Sequence, residues 1–354
     1  MTRIGVAMLG HGFMGNAHSR ALGAVRQLEP ALEPELVSIS GRDLAALEEA
    51  RARLGWAEAT ADWREQVADE RVGLFVNGGP NALHAEPTIA AVRAGKHVLC
   101  EKPLARSGEE AEGMWRAADE AGVVHMTGFN YRFVPAVRLA YELVQSGELG
   151  EIVHFRARYL QSWGWEEPQR AAWRFDASVA GTGAIGDLGA HSIDLARYLA
   201  GEPSAVSALV RTFVPNREVD DAFVATLELE NGAIGTLEAS RLARGRINHN
   251  AFELNGTKGS VAFDQERMNE LLVSDGGAFR TVLEHGEWWP PGHIVGWGDT
   301  FTYEYLHLLR AVAGGAPVAP LGATFEDGYR CSEVTEAILR SAERGRQEAV
   351  SYRS

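Results

Sequence analysis

The sequence predicts two domains of different class: an α/β part with a doubly wound parallel sheet over residues 1–128, and an α+β part with a large, open, mainly antiparallel sheet over residues 129–354. Three observations carry this division. Short apolar runs alternate with helical segments as far as residue 127. A glycine-rich turn follows the first of those runs. Beyond residue 150 polar and apolar residues alternate singly, with Asn-Gly turns between the runs. A chain of 354 residues also exceeds one ordinary core.

In order, Ile4, Gly5, Val6, Ala7, Met8 and Leu9 form a run suited to a parallel strand covered on both faces. It leads into Gly10-His11-Gly12-Phe13-Met14-Gly15 and then a helical segment at 16–25. Strand, G-x-G-x-x-G and helix in succession are the Rossmann arrangement for a dinucleotide. Gly10 permits the tight turn, Gly12 lets backbone approach a pyrophosphate, and Gly15 lets the helix pack closely. Phe13 and Met14 stand at the helix amino terminus, whose N–H groups favour phosphate. The next strand, 36–40, ends in Ser40-Gly41-Arg42 where an acid would bind both ribose hydroxyls of NAD. A small residue followed by a guanidinium suits a 2′-phosphate and favours NADP over NAD. Asp43 either caps the following helix or reaches the ribose.

Alternation continues through a helix at 43–54, a strand at 72–76, a helix at 83–94, a strand at 97–100, a helix at 108–121 and a strand at 123–127. The turn Asn77-Gly78-Gly79-Pro80-Asn81, with His84 just beyond, falls at the carboxyl edge of the sheet. It is placed to line the nicotinamide end of a cofactor, although Gly, Pro and Asn also satisfy turn chemistry alone. At the same edge Cys100 is followed by Glu101, Lys102 and Pro103. Proline ends strand pairing and leaves the Lys102 amine where parallel sheets bind ligands.

After Phe129, Asn130, Tyr131, Arg132 and Phe133 the pattern changes. A helix at 135–145 precedes an alternating strand at 152–160. Strands at 223–229 and 233–239 flank Glu230-Asn231-Gly232, and strands at 252–254 and 260–263 flank Asn255-Gly256-Thr257-Lys258-Gly259. Helices at 300–312 and 325–342 end the chain. They cannot cover both faces of such a sheet, so one face is a candidate subunit interface.

Asp187 and His191 are four residues apart, so on a helix both project from one face, with Asp194 near the same line. A carboxylate beside an imidazole orients it and raises its basicity, as a general base for an alcohol requires. The same residues serve equally as a helix cap and a structural histidine. Trp163, Trp165, Trp173 and Arg174, near Glu166 and Glu167, suit a sugar or cyclitol, but fit a core or an interface as well. Trp288, Trp289 and Trp297, near His293 and Asp299, form a second such group.

The 34 basic and 48 acidic residues leave a formal charge of −14, against a nucleic-acid footprint or attraction to anionic lipid. Two cysteines, Cys100 and Cys331, are too few for a disulfide framework or a zinc cluster. No metal is expected, because Asp187 and His191 supply only two ligands. The first apolar run is shorter than a signal peptide's, and no stretch approaches a membrane span. A cytoplasmic protein is expected.

Taken together, Gly10 to Gly15, the stretch from Ala94 through Lys102 to Pro103, and the stretch from Gly186 through Asp187 and His191 to Asp194 resemble the Gfo/Idh/MocA family, and most its sugar, anhydrosugar and inositol dehydrogenase branch. That resemblance implies an NAD(P)-dependent oxidoreductase that oxidises a secondary hydroxyl of a sugar, anhydrosugar or cyclitol by hydride transfer. It implies a substrate-binding Lys102 that stabilises the alkoxide, and a catalytic Asp187 and His191, with His191 as general base. Asn77, Pro80, Asn81, His84, Glu101, Lys102 and Asn130 would face the cofactor. Tyr131, Arg132, Trp163, Trp165, Trp173 and Arg174 would face the substrate. A cis bond before Pro103 and homodimers or homotetramers through the sheet are implied too. Two departures stand out: Gly41-Arg42 replaces the acid of strict NAD users, and Gly79 stands where the family often has threonine. Two other activities suit the same fold, a glycosidase using NAD for transient oxidation and elimination, and a non-catalytic dinucleotide sensor.

Overall fold

A computed structural model describes residues 1–166, 169–286 and 288–353. The chain forms two units, one of Met1–Ala105, Glu109–Phe133 and Gly296–Tyr329, the other of Arg106–Gly108, Val134–Val295 and Arg330–Ser354.

The first unit alternates strands and helices: β1 (Thr2–Leu9), α1 (Phe13–Leu28), β2 (Leu32–Ser40), α2 (Leu44–Leu54), β3 (Glu58–Thr60), α3 (Trp63–Ala68), β4 (Leu74–Asn77), α4 (Ala85–Arg93), β5 (His97–Glu101), α5 (Gly108–Ala121) and β6 (His125–Gly128). The six strands pair in the order β3-β2-β1-β4-β5-β6, all parallel. Val6, Ala7, Met8, Leu74, Phe75 and Val76 are fully buried, as continuous apolar runs covered on both faces should be. The strand expected at 36–40 begins earlier, at Leu32. Pro34 is tolerated there because β3 pairs only with Ser38 to Ser40 and leaves that half of β2 with an open edge. Neither β3 nor α3 was expected, since both are short and largely polar. The helix expected at 83–94 starts at Ala85, after a 3-10 turn over Asn81–Leu83.

The second unit contains α6 (Pro135–Gln145), β7 (Ile152–Leu160), α7 (Ala177–Ala180), α8 (Ala190–Leu199), β8 (Pro203–Arg211), β9 (Ala222–Leu229), β10 (Ile234–Ser240), β11 (His249–Gly256), β12 (Ser260–Asp264), β13 (Glu270–Ser274) and β14 (Arg280–Leu283). α9 (Trp297–Val312) belongs to the first unit, α10 (Phe325–Arg344) has residues in both, and β15 (Glu348–Ala349) closes the second sheet. That sheet has nine strands in the order β14-β13-β12-β11-β7-β10-β9-β8-β15. Only β7 and β10 pair in parallel, so the sheet is mixed and mostly antiparallel. The Asn-Gly hairpin forms as the sequence predicts, between β9 and β10.

Side chains alternate across this sheet. Phe155, Ala157 and Tyr159 of β7 lie buried, and α6 and α8 pack on the sheet, while Arg156 and Arg158 stay exposed. Val224 and Thr226 of β9 and Ile234, Thr236 and Glu238 of β10 share the open face, which carries a cleft of about 1130 Å³. Among the described residues no helix is long and apolar enough to cross a membrane.

Candidate active site

Gly10 turns the chain at φ 103°, and a Cβ there would lie 2.5 Å from the Gly78 carbonyl oxygen. The Gly10 and Gly78 turns thus meet at the ends of β1 and β4, the point where strand order reverses and open α/β sheets bind ligands. α1 begins at Phe13 with no side-chain cap. Its first N–H groups are left for an anion. Phe13 is 68% exposed, and nothing lies within 4 Å of a Cβ built on Gly12. These features fit a dinucleotide pyrophosphate against Gly10, Gly12, Phe13, Met14 and Gly15.

At the ribose end Asp43 accepts hydrogen bonds from the Ala45 and Ala46 N–H groups, each at 3.1 Å. It caps α2, which decides between the two readings of Asp43. The His11 ring lies against Gly41, where a Cβ would fall 2.3 Å from Nδ1. Arg42 beside it is exposed. Ser40 is buried and donates to Gln66 Oε1 at 2.7 Å, so it braces the strand ends.

On the opposite side of the switch point, Asn77 is buried. It donates to the Leu83 carbonyl (2.8 Å) and accepts from Gly79 N–H (3.2 Å), which shapes the turn carrying Pro80 and Asn81. His84 is buried between the carbonyls of Pro103 (2.8 Å) and Gly79 (3.1 Å). Burial lowers its pKa, and the two carbonyls push the other way. Lys102 is half-buried, and its bond to Pro103 is cis. Its backbone N–H donates to Glu101 Oε2 at 3.1 Å, while Glu101 Oε1 meets His18 Nε2 at 2.9 Å. His18 in turn contacts the Tyr305 hydroxyl at 3.1 Å. Glu101 therefore anchors the backbone under Lys102 to α1 and α9. Asn130 donates to Thr300 Oγ1 at 2.8 Å, Tyr131 is buried, and the buried Arg132 pairs with Asp327 at 3.3 Å. Sequence reasoning missed His18 and Tyr305, whose partners are remote in the chain. It grouped Trp297 with other tryptophans, but Trp297 stacks on Phe13 with centroids 5.4 Å apart.

Glu304, in the same unit, is fully buried, and neither carboxyl oxygen has a hydrogen-bond partner among the described residues. Burial and then the nearby Glu101 charge hold its pKa well above the ordinary carboxylate range. Such a group favours its neutral form more strongly in the native state than in the unfolded chain, where it ionises readily. Its native form is thus fully favoured below about pH 4, and stability falls as pH rises toward the raised value. Glu304→Met should therefore raise Tm at pH 8 by about 2–6 °C, for about 1–2 kcal/mol, and by less at pH 5. Thermal melts across pH check this. A variant less stable than the parent at pH 8 refutes it.

In the second unit the expectation that Asp187 and His191 share one α-helix is corrected. Asp187 lies in a π-turn over Ile185–Gly189, and α8 begins only at Ala190. The Ala190 N–H reaches the Ile185 carbonyl five residues back. Single π-turns inside helices are frequent at functional sites. Asp187 Oδ2 accepts from Arg241 Nη2 at 3.0 Å, and Arg241 is almost wholly buried. His191 is buried with its ring 5.8 Å from that of Tyr159, and Asp194 is buried on α8.

The aromatic residues gather around the same guanidinium. Arg241 sits 4.9 Å from the Trp163 ring and donates to the Arg174 carbonyl at 3.2 Å. Trp163 packs against Phe175, and Trp173 against its neighbour Arg174. Trp165 is exposed, stacked with Arg244, and donates to the Leu242 carbonyl at 2.9 Å. Glu167 lies outside the described residues. Sequence reasoning passed over Arg241 and Asp220, which have no motif around them. Asp220 is buried and accepts from the Gly183 (2.6 Å) and Ile185 (2.9 Å) N–H groups. Burial raises its pKa, opposed by those donors and by Arg241.

Among the described residues His249, Asp264 and Glu266 form a cluster with metal-ligand spacing. However, Arg158 Nε donates to His249 Nε2 at 3.0 Å, which leaves the neutral ring's proton on Nδ1. Nδ1 lies 3.3 and 3.5 Å from the Asp264 and Glu266 carboxylates without a hydrogen bond to either among the described residues, and carrying that proton it offers no lone pair to a metal.

Residues 4–129 match the family described as oxidoreductase family, NAD-binding Rossmann fold, and residues 137–262 match the GFO/IDH/MocA C-terminal domain. The levoglucosan dehydrogenase of Pseudarthrobacter phenanthrenivorans is 40% identical over 97% of both chains. The chain belongs to the Gfo/Idh/MocA oxidoreductase family. Its amino-terminal half is accordingly an NAD-binding Rossmann domain, as the glycine loop and strand order indicated. A solved levoglucosan dehydrogenase in complex with NADH and levoglucosan superposes with a TM-score of 0.95 at 39% identity, covering 99% of this chain and 100% of that one. A more distant member, the NADP-dependent scyllo-inositol 2-dehydrogenase of Bacillus subtilis, is 32% identical over 64% of this chain and 60% of that protein.

Proposed function

We propose that this oxidoreductase oxidises a secondary hydroxyl of an anhydrosugar, or of a closely related sugar or cyclitol, to a ketone. End-to-end identity of 40% with a levoglucosan dehydrogenase carries this reading. The bound nicotinamide dinucleotide would supply the hydride acceptor. It would be held by the α1 N–H groups at Gly12, Phe13 and Met14, with Arg42 at the ribose. His191 takes the hydroxyl proton as general base. The Lys102 ammonium donates a hydrogen bond to the same oxygen and stabilises its growing negative charge. Asp187, held by Arg241, accepts from a substrate hydroxyl or orients His191. Trp163, Trp165, Trp173 and Arg174 offer faces and a cation to a sugar.

The test is a spectrophotometric screen of purified protein against levoglucosan, aldoses and inositols, with NAD and NADP in parallel. Reduced cofactor should accumulate with an anhydrosugar, and Arg42 should make NADP at least as effective as NAD. Release of an aglycone without reduced cofactor would favour the glycosidase reading instead, and no turnover with any polyol would favour the sensor. If NAD outperforms NADP throughout, the inference from Arg42 fails.

Homo-oligomers through the open sheet face belong to the same proposal. Leu209, Val224, Ile234 and Leu272 are exposed on strands β8, β9, β10 and β13. Light scattering that returned the mass of a single chain would remove it.

A further inference from the structure

We propose that Asp220 is a positioning residue for Asp187: it acts as a cap supplied from a distant loop, holding the π-turn from one side while its neighbour Asp221 holds the partner of Asp187 from the other. This inference rests on the reading that Asp187 and His191 act on the substrate.

The geometry lies within the second unit. Three successive N–H groups open the turn, and Asp220 receives all three. Its carboxylate accepts from Gly183 at 2.6 Å and Ile185 at 2.9 Å, and its own carbonyl accepts from Ala184 at 3.0 Å. The approach is so close that a Cβ on Gly183 would lie 1.8 Å from the Asp220 carbonyl oxygen. The first N–H groups of a helix have no internal partners and normally take a side chain from the residue just before it. The residue just before the π-turn, Ala184, has no side chain that could cap it. A residue that follows it by more than thirty positions does that work. The next residue extends the clamp, because the Arg241 backbone N–H donates to the Asp221 carbonyl at 3.0 Å, and the Arg241 side chain holds Asp187 Oδ2 at 3.0 Å.

Asp220 thus fixes the backbone just ahead of Asp187, whose own N–H donates to the Gly183 carbonyl at 3.0 Å, and Arg241 holds the Asp187 carboxylate. Both supports come from the ends of β9 and β10. An amide at position 220 keeps the size but turns one acceptor into a donor, which faces a backbone donor. The turn must then shift, and a displacement of about 1 Å at a reacting group costs up to about a hundredfold in rate.

The experiment compares Asp220→Asn and Gly183→Ala with the parent in kcat, KM for the sugar, NADH affinity and Tm. Leu271→Ala, at a fully buried position of β13, serves as the control for general destabilisation, and His191→Asn as the control for the site itself. Expected is a fall in kcat of about 10- to 100-fold for both turn variants, with KM and NADH affinity within about threefold. Leu271→Ala should lose as much Tm or more and keep kcat within about twofold. The proposal is overturned if the folded turn variants keep the parent kcat, or if Leu271→Ala loses kcat in proportion to Tm just as they do. If Asp220→Asn does not fold, Gly183→Ala alone decides. Full activity in His191→Asn would remove the underlying reading of the site instead.

Discussion

Substituting asparagine for His191 is expected to lower kcat about a hundredfold or more while NADH affinity stays within about threefold of the parent. The imidazole is the proposed general base, and asparagine can hydrogen-bond a hydroxyl without taking its proton. The role proposed for His191 is toward the substrate hydroxyl and not toward the dinucleotide, so cofactor affinity should not follow the loss. Lys102→Met should produce a loss of similar size through a different term, removal of the positive charge that stabilises the developing alkoxide. Combining the two should cost less than the product of the single losses, because the roles proposed for both concern one oxygen. Stopped-flow turnover and NADH fluorescence titration measure these quantities. A kcat within about threefold of the parent for either variant, or joint loss of NADH binding, would show that the residue has another role.

The largest expected effect on stability lies at Asp221. Its carboxylate is fully buried, pairs with the buried Arg217, and accepts from the Phe213 and Val214 N–H groups at 2.7 and 2.9 Å. Arg217 also lies 4.1 Å over the Phe175 ring, and among the described residues Asp221 is its ion-pair partner. Alanine at 221 leaves a buried guanidinium uncompensated and orphans two backbone donors. Breaking a buried pair from one side costs about 3–5 kcal/mol, which corresponds to a fall of about 6–20 °C in Tm. A reversible melt with Tm within about 2 °C of the parent would rule out this account. Replacing both partners with apolar residues should restore much of the loss, since the cost comes from the charge left behind rather than from the pair.

The two units differ in how far they were legible. In the first, the strands expected at 72–76, 97–100 and 123–127 all lie within two residues of β4, β5 and β6, because a strand covered on both faces announces itself as an apolar run. β3 escaped notice because three residues make no pattern. The strand β8 and the hairpin of β13 with β14 were missed for a related reason. Their apolar residues do not segregate to one face, since Leu209, Leu272 and Leu283 are exposed, and no Asn-Gly turn marks them. Helix α6 and strand β7 matched their expected bounds, since proline starts the one and single alternation defines the other.

What the amino-acid order determined alone was local: the glycine turn after β1, the lysine stopped by proline at the end of β5, and the aspartate and histidine four apart. Each follows from steric and hydrogen-bonding preferences of neighbouring residues, which act whatever the rest of the chain does. Only the tertiary structure decided that Asp187 sits in a π-turn, that Arg241 pairs with it, and that Asp220 accepts the N–H groups of Gly183, Ala184 and Ile185 ahead of it. These contacts span 35 to 54 positions, and contacts over such distances are selected by burial and by the need to satisfy every buried donor, which no local spacing encodes.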